Sequence, residues 1–266
     1  MLAEQMPKRF HFARLIAAAL LGGVCPASLA SELKVFAAAS LTDVCREIGT
    51  NYQARTGVKL VLNFGASSFL ERQLEAGAGA DVFFSADEAK MDLLERQGLI
   101  LTNTRVSRLG NALVIVVPKD SALVVASAKT LATSVVKRIA LADPETVPAG
   151  IYARKYLEKE KLWTTLQPKV VPTDNVRAAL AAVESGNVEA GIVFQTDAGI
   201  SKQVKVALAI PSVETPEISY PLAVLRDSKR VEAARALVIY LNSDEAGKVF
   251  QRYGFTLRSS PRPATP

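Results

Sequence analysis

Three short apolar runs, each handing directly to an amphipathic stretch, follow one another early in the chain, and no other feature limits its fold so strongly. Residues 33–38 (LKVFAA) precede Leu41, Val44, Cys45, Ile48 and Tyr52, which recur at helical spacing. Residues 59–64 (KLVLNF) lead into a helical stretch over 69–76, and residues 81–84 (DVFF) into one over 87–97. An apolar strand followed at once by a helix predicts a parallel sheet covered on both faces. After residues 111–117 (NALVIVV), closed by Pro118, the rhythm restarts: strands at 138–142, near 170 and at 190–194, helices over 149–158 and 175–185. The expected fold class is α/β in two lobes, each a mostly parallel sheet flanked by helices.

Residues 218–225 (ISYPLAVL) read as another strand, in which Pro221 points to an edge or crossover position. A helix over 231–241 and the segment ending at Phe255 then return to the first lobe. The division expected is a first lobe of residues 31–113 and 222–258 and a second of 114–221, with two crossing strands as a hinge. The tail 259–266 (SSPRPATP) is expected to be disordered, because Pro and small polar residues bury too little surface to offset chain entropy.

The first thirty residues read as a secretory leader. Lys8, Arg9 and Arg14 precede the apolar run 15–24, and Ser28-Leu29-Ala30 supplies the small-x-small signal. Export to the periplasm with cleavage after about Ala30 is expected. Cys25, with Val24 before it, departs from the pattern of a lipid attachment site. Cleavage removes three of 32 basic and one of 26 acidic residues, leaving a net charge of about +4. The only histidine, His11, goes with the leader, and of two cysteines Cys45 stays. A chain without His builds neither a Ser-His-Asp triad nor a His-ligated zinc site, and one Cys forms no internal disulfide. No catalytic residue, cofactor or metal-cation ligand is therefore expected. The basic residues are scattered without interleaved aromatics, so no nucleic-acid partner is expected, and a monomer is.

In an open sheet, ligands bind beyond the carboxyl ends of the strands, where helices begin. Those junctions here are Ala39-Ser40, Ala66-Ser67-Ser68, Pro148-Ala149-Gly150 and Asp174-Asn175-Val176. Ser40 stands at a cap position, and Ser68 and Glu71 have the spacing of a capping box. Helix N-termini offer unpaired N–H donors and about half a positive charge each, so several converging on one point can replace the hydration of a dianion. Ser hydroxyls add donors without bulk. A pocket rich in donors and poor in acceptors disfavours hydrogen phosphate, whose proton wants an acceptor.

At these positions the chain resembles the periplasmic molybdate-binding proteins of ABC transporters. The resemblance runs from Val35-Phe36-Ala37-Ala38-Ala39-Ser40-Leu41-Thr42 to Arg252-Tyr253-Gly254-Phe255, through residues 75–87 (EAGAGADVFFSAD), 143–153 (DPETVPAGIYA), Asn175-Val176-Arg177 and Gly191-Ile192-Val193. It implies a type II periplasmic-binding-protein fold, with molybdate or tungstate in the interlobe cleft and a membrane permease as partner. It also implies ligand contacts at Ser40 and Ser67 through hydroxyl and backbone N–H, and at Ala149 and Val176 through backbone N–H. The family's fifth contact is commonly a Tyr hydroxyl, where this chain has Phe194, with Gln195, Thr196 or a water as possible substitutes. Three alternatives stand beside this: a binder of sulfate or phosphate, an enzyme on the same fold, and a sensor. An enzyme needs a base or nucleophile in the cleft, and the carboxylates of Asp43, Asp87 and Asp174 read instead as helix-start or cap residues.

Overall fold

Each early apolar run becomes a strand and each stripe a helix in the computed structural model, which describes residues 32–258. The leader expected at 1–30 and the tail at 259–266 lie outside the described residues. The chain begins β1 (Glu32–Ala38), α1 (Thr42–Thr56), β2 (Lys59–Gly65), α2 (Ser67–Glu75), β3 (Val82–Phe84), α3 (Glu88–Arg96) and β4 (Val106–Gly110). Helix α1 buries Val44, Cys45, Ile48 and Tyr52 and stops at Gly57, whose φ of 74° is the left-handed conformation that ends helices.

The chain then builds a second sheet from β5 (Leu113–Pro118), β6 (Ile139–Ala142), α4 (Pro148–Lys159), α5 (Trp163–Leu166), β7 (Val170–Thr173), α6 (Val176–Glu184), β8 (Ala190–Phe194), α7 (Gln195–Ile200) and β9 (Val204–Ala209). It returns through β10 (Ser219–Val224), α8 (Val231–Leu241), α9 (Asp244–Arg252) and β11 (Thr256–Leu257). The first sheet has the order β11-β4-β10-β3-β1-β2 and the second β7-β6-β8-β5-β9. Strands β3, β6, β8 and β10 are buried throughout, as the uninterrupted apolar sequences of the first three require, and β10 buries Ser219 with its apolar residues.

Both sheets are mixed rather than mostly parallel. The strand-helix units do pair in parallel: β1 with β2 and β3, and β6 with β7 and β8. The strands that enter or leave at the lobe junction, β4, β5, β9 and β10, pair antiparallel, and each of these pairs joins strands distant in the chain rather than the two arms of a hairpin.

Of the edge or crossover position expected for Pro221, the crossover half holds, since its strand is the first after the chain crosses back between the sheets. Pro221 sits in β10, an interior strand between β4 and β3, not at an edge. The β10–β4 register shifts between Tyr220 and Pro221, while on the other side the Pro221 carbonyl accepts from Ser85 N–H at 2.9 Å, so the missing N–H faces the residue just past the end of β3. The division expected between residues 221 and 222 cuts this strand, whose Ser219 already pairs with Gly110 in the first sheet.

The chain passes between the sheets twice, between Gly110 and Leu113 and between Ala209 and Ser219. The starts of α1, α2, α4 and α6 follow the carboxyl ends of β1, β2, β6 and β7, two from each sheet.

Candidate functional site

Those four helix starts meet around one very small cavity of about 10 Å³, room for the centre of a single water-sized sphere, lined by Ala39, Ser40, Ala66, Ser67, Pro148, Ala149, Asn175, Val176 and Phe194 among others. All five residues expected to contact a ligand line it, and they are almost fully buried: Ser40 3%, Ser67 1%, Ala149 2%, Val176 4% and Phe194 1% exposed. No lining residue is charged.

The local chemistry at each junction leaves donors toward the cavity. Neither serine caps a helix. The cap of α2 is Ala66, in extended backbone, and that of α1 is Leu41, both without a side-chain bond, so the expected Ser68–Glu71 box does not form. The Ser67 oxygen instead accepts from the backbone N–H of Ala86 at 2.9 Å, and the Ser40 oxygen lies 3.1 Å from the Tyr220 hydroxyl. At α6, Asn175 Oδ1 takes the N–H groups of Arg177 and Ala178, and the Val176 N–H at the first helical position has no place in the helical ladder. At α4, Pro148 occupies the first position and Ala149 follows. Gly150 comes next because a Cβ there would run into the carbonyl oxygens of Ala142 and Asp143, so the start of α4 lies directly on the end of β6.

Phe194 both packs and lines. Its ring stands 6.4 Å from that of Tyr152 and 5.9 Å from that of Tyr220, tilted or edge-on to each. Of the groups considered as substitutes for a hydroxyl at this position, Gln195 is exposed and Thr196 Oγ1 accepts from Asn111 Nδ2 at 2.8 Å. Burial, and then the nearby charge of Asp197, push the Tyr220 hydroxyl well above the usual phenol range, so it remains a protonated donor.

The cation beside the cavity is already engaged. Arg177 pairs across the cleft with Asp43 of α1 at 2.7 Å and within its own lobe with Asp197. Asp197 is fully buried, and its desolvation pushes its pKa up to about 6 against the pull of Arg177. With two carboxylates on one guanidinium, the positive potential in the cavity comes from backbone dipoles. Of the carboxylates weighed for catalysis, Asp43 is held by Arg177, Asp87 caps α3 through Lys90 N–H at 3.0 Å, and Asp174 is exposed. Among the described residues, no cluster of His, Cys, Asp and Glu could hold a metal ion and no helix is long and apolar enough to cross a membrane.

Sequence reasoning missed Asn111, Tyr220 and Asp197. The one hint was location: Asn111 and Tyr220 lie on or beside the two crossing segments, where contacts between lobes are made.

Comparison with known proteins agrees with this arrangement. The model of the family "Bacterial extracellular solute-binding protein" matches residues 33–256. The molybdate-binding protein ModA of Escherichia coli is 44% identical over 247 residues, 91% of this chain and 96% of the relative. The molybdate-binding protein ModA of Haemophilus influenzae is 34% identical, over 86% of this chain and 91% of the relative. In fold, the Azotobacter vinelandii periplasmic molybdate-binding protein superposes with a TM-score of 0.79 at 23% identity, covering 85% of this chain and all of that one. A family match spanning both sheets and every lining residue, with relatives aligned nearly end to end, leads to one conclusion: the chain belongs to the bacterial extracellular solute-binding proteins.

Proposed function

We propose that this protein captures molybdate, or tungstate, between its lobes and delivers it to the membrane permease of an ABC importer. One observation carries the reading: four helix starts, two from each sheet, and the hydroxyls of Ser40 and Ser67 meet at one buried cavity without a charged lining residue. Such a site neutralises a dianion by dipoles and hydrogen bonds and offers a protonated oxyanion no carboxylate. The names of the E. coli and H. influenzae relatives support molybdate as the ligand.

In this reading Ser40 and Ser67 donate through hydroxyl and backbone N–H, Ala149 and Val176 through backbone N–H, and Phe194 closes the wall with its ring. The protein works without a cofactor, as a monomer and not as an enzyme, with Asp43 and Asp87 engaged by Arg177 and the start of α3 and Asp174 exposed. It is exported, and residues 1–30 are removed in the periplasm. The test is native mass spectrometry of the protein lacking residues 1–30, incubated with molybdate, tungstate, sulfate and phosphate together. Retention of molybdate or tungstate in preference to sulfate is expected; equal or greater retention of sulfate refutes the assignment.

A further inference from the structure

The polarity of the Ser40 hydroxyl is decided two residues away, at the hinge. Asn111 Oδ1 accepts from the backbone N–H of Ala112 at 2.9 Å, which fixes which end of the amide is which. Its Nδ2 therefore faces the other way, 2.8 Å from Thr196 Oγ1 and 3.0 Å from the Tyr220 hydroxyl. An amide NH2 only donates, so the Tyr220 oxygen accepts there. Tyr220 is 0% exposed, and its own proton must find an acceptor. Ser40 Oγ, 3.1 Å away, is the group in place to take it. Having accepted from Tyr220, Ser40 has its proton left for the cavity. Ser67 reaches the same state by accepting from Ala86 N–H.

We infer that Asn111 and Tyr220 orient the Ser40 hydroxyl as a donor, and that this chain of bonds selects fully deprotonated oxyanions over those that carry a proton. Neither residue lines the cavity; both act through Ser40. The inference rests on the cavity being an anion site and adds the source of its selectivity. Asn111 lies in the link between β4 and β5, and Tyr220 near the start of β10, so the donor arrangement is built from one crossing segment and the strand that directly follows the other.

A double-mutant cycle read by titration calorimetry with sodium molybdate tests this. Tyr220→Phe is expected to weaken binding about five-fold in the unaltered protein, the worth of one neutral hydrogen bond, and no more than about two-fold in a Ser40→Ala background. Equal losses in both backgrounds overturn the inference, because Tyr220 would then act by packing alone. A second variant, Asn111→Asp, replaces the donor by an acceptor. Tyr220 then gives its proton to the new carboxylate, Ser40 donates to Tyr220, and a lone pair turns into the cavity. The ratio of inorganic phosphate to molybdate affinity near pH 7.5 is expected to rise about ten-fold, a change that a purely structural defect would not produce. An unchanged ratio in a variant that melts cooperatively overturns the inference. If the unaltered protein binds no molybdate, the anion-site reading itself fails, and the inference with it.

Discussion

Replacing Ser67 by Ala removes two different things, and the structure allows them to be separated. The first is the hydroxyl that the proposed site offers to the ligand. A hydrogen bond to a charged group contributes about 1.5–3 kcal/mol, so molybdate affinity should fall roughly ten- to hundred-fold. The second is the acceptor for Ala86 N–H. With Ser67 at 1% exposure, that N–H is left buried and unpaired, which costs about 1–3 kcal/mol even without ligand. For a domain of this size each kcal/mol moves Tm by about 2–4 °C, so the ligand-free variant should melt roughly 2–12 °C lower. Calorimetric titration reads the first quantity and scanning calorimetry of the ligand-free protein the second. A lower melting temperature with unchanged affinity would refute the assignment of Ser67 as a ligand donor. Lost affinity with unchanged melting would refute the account of its bond to Ala86.

Phe194→Tyr should tighten molybdate binding by about ten-fold, since the ring lines the cavity and an added hydroxyl supplies a donor; titration showing no gain in a variant of unchanged Tm would place the ring edge away from the ion. Gly150→Ala should destabilise by about 1–3 kcal/mol or more, because its methyl group meets two backbone carbonyls that cannot rotate away. An unchanged denaturation midpoint would show that α4 can lift off β6. Glu71, buried in α2, has its pKa pushed up to about 7, first by burial and then by Glu75. A carboxyl raised in the folded state contributes stability that is full below its ordinary value near 4.5 and is lost as pH rises through about 7. The difference in Tm between the protein and Glu71→Gln should therefore change across pH 4.5–7; a constant difference would show that Glu71 titrates normally.

The layers of the fold were legible because strand and helix periodicities are local, and α8 falls on the very residues 231–241 that its apolar spacing marks. The candidate site, as residues lining one cavity, was legible for a related reason: small residues and serines where strands hand over to helices are local patterns too. What periodicity could not reveal is partner choice. Ser68 and Glu71 have the spacing of a capping box, yet Ala66 caps α2 and Ser67 bonds to a residue 19 positions on. The contact of Ser40 with Tyr220 spans 180 residues and is created only when the chain returns through β10. Strand β9, exposed at Lys205 and Val206, gave no strand signal, and Pro221 lies in an interior strand, because a strand's place in the sheet is a property of the assembled fold.

The depth of the cavity separates how tightly an ion is held from how fast it is exchanged. With Ser40, Ser67, Ala149, Val176 and Phe194 each no more than 4% exposed, an ion held as proposed would reach or leave them only if the lobes part. The residence time is then set by the frequency of that parting, to which the Asp43–Arg177 pair across the cleft contributes, as much as by the donors themselves. A permease that prises the two lobes apart could thus discharge a strongly bound ion without competing for any of its hydrogen bonds.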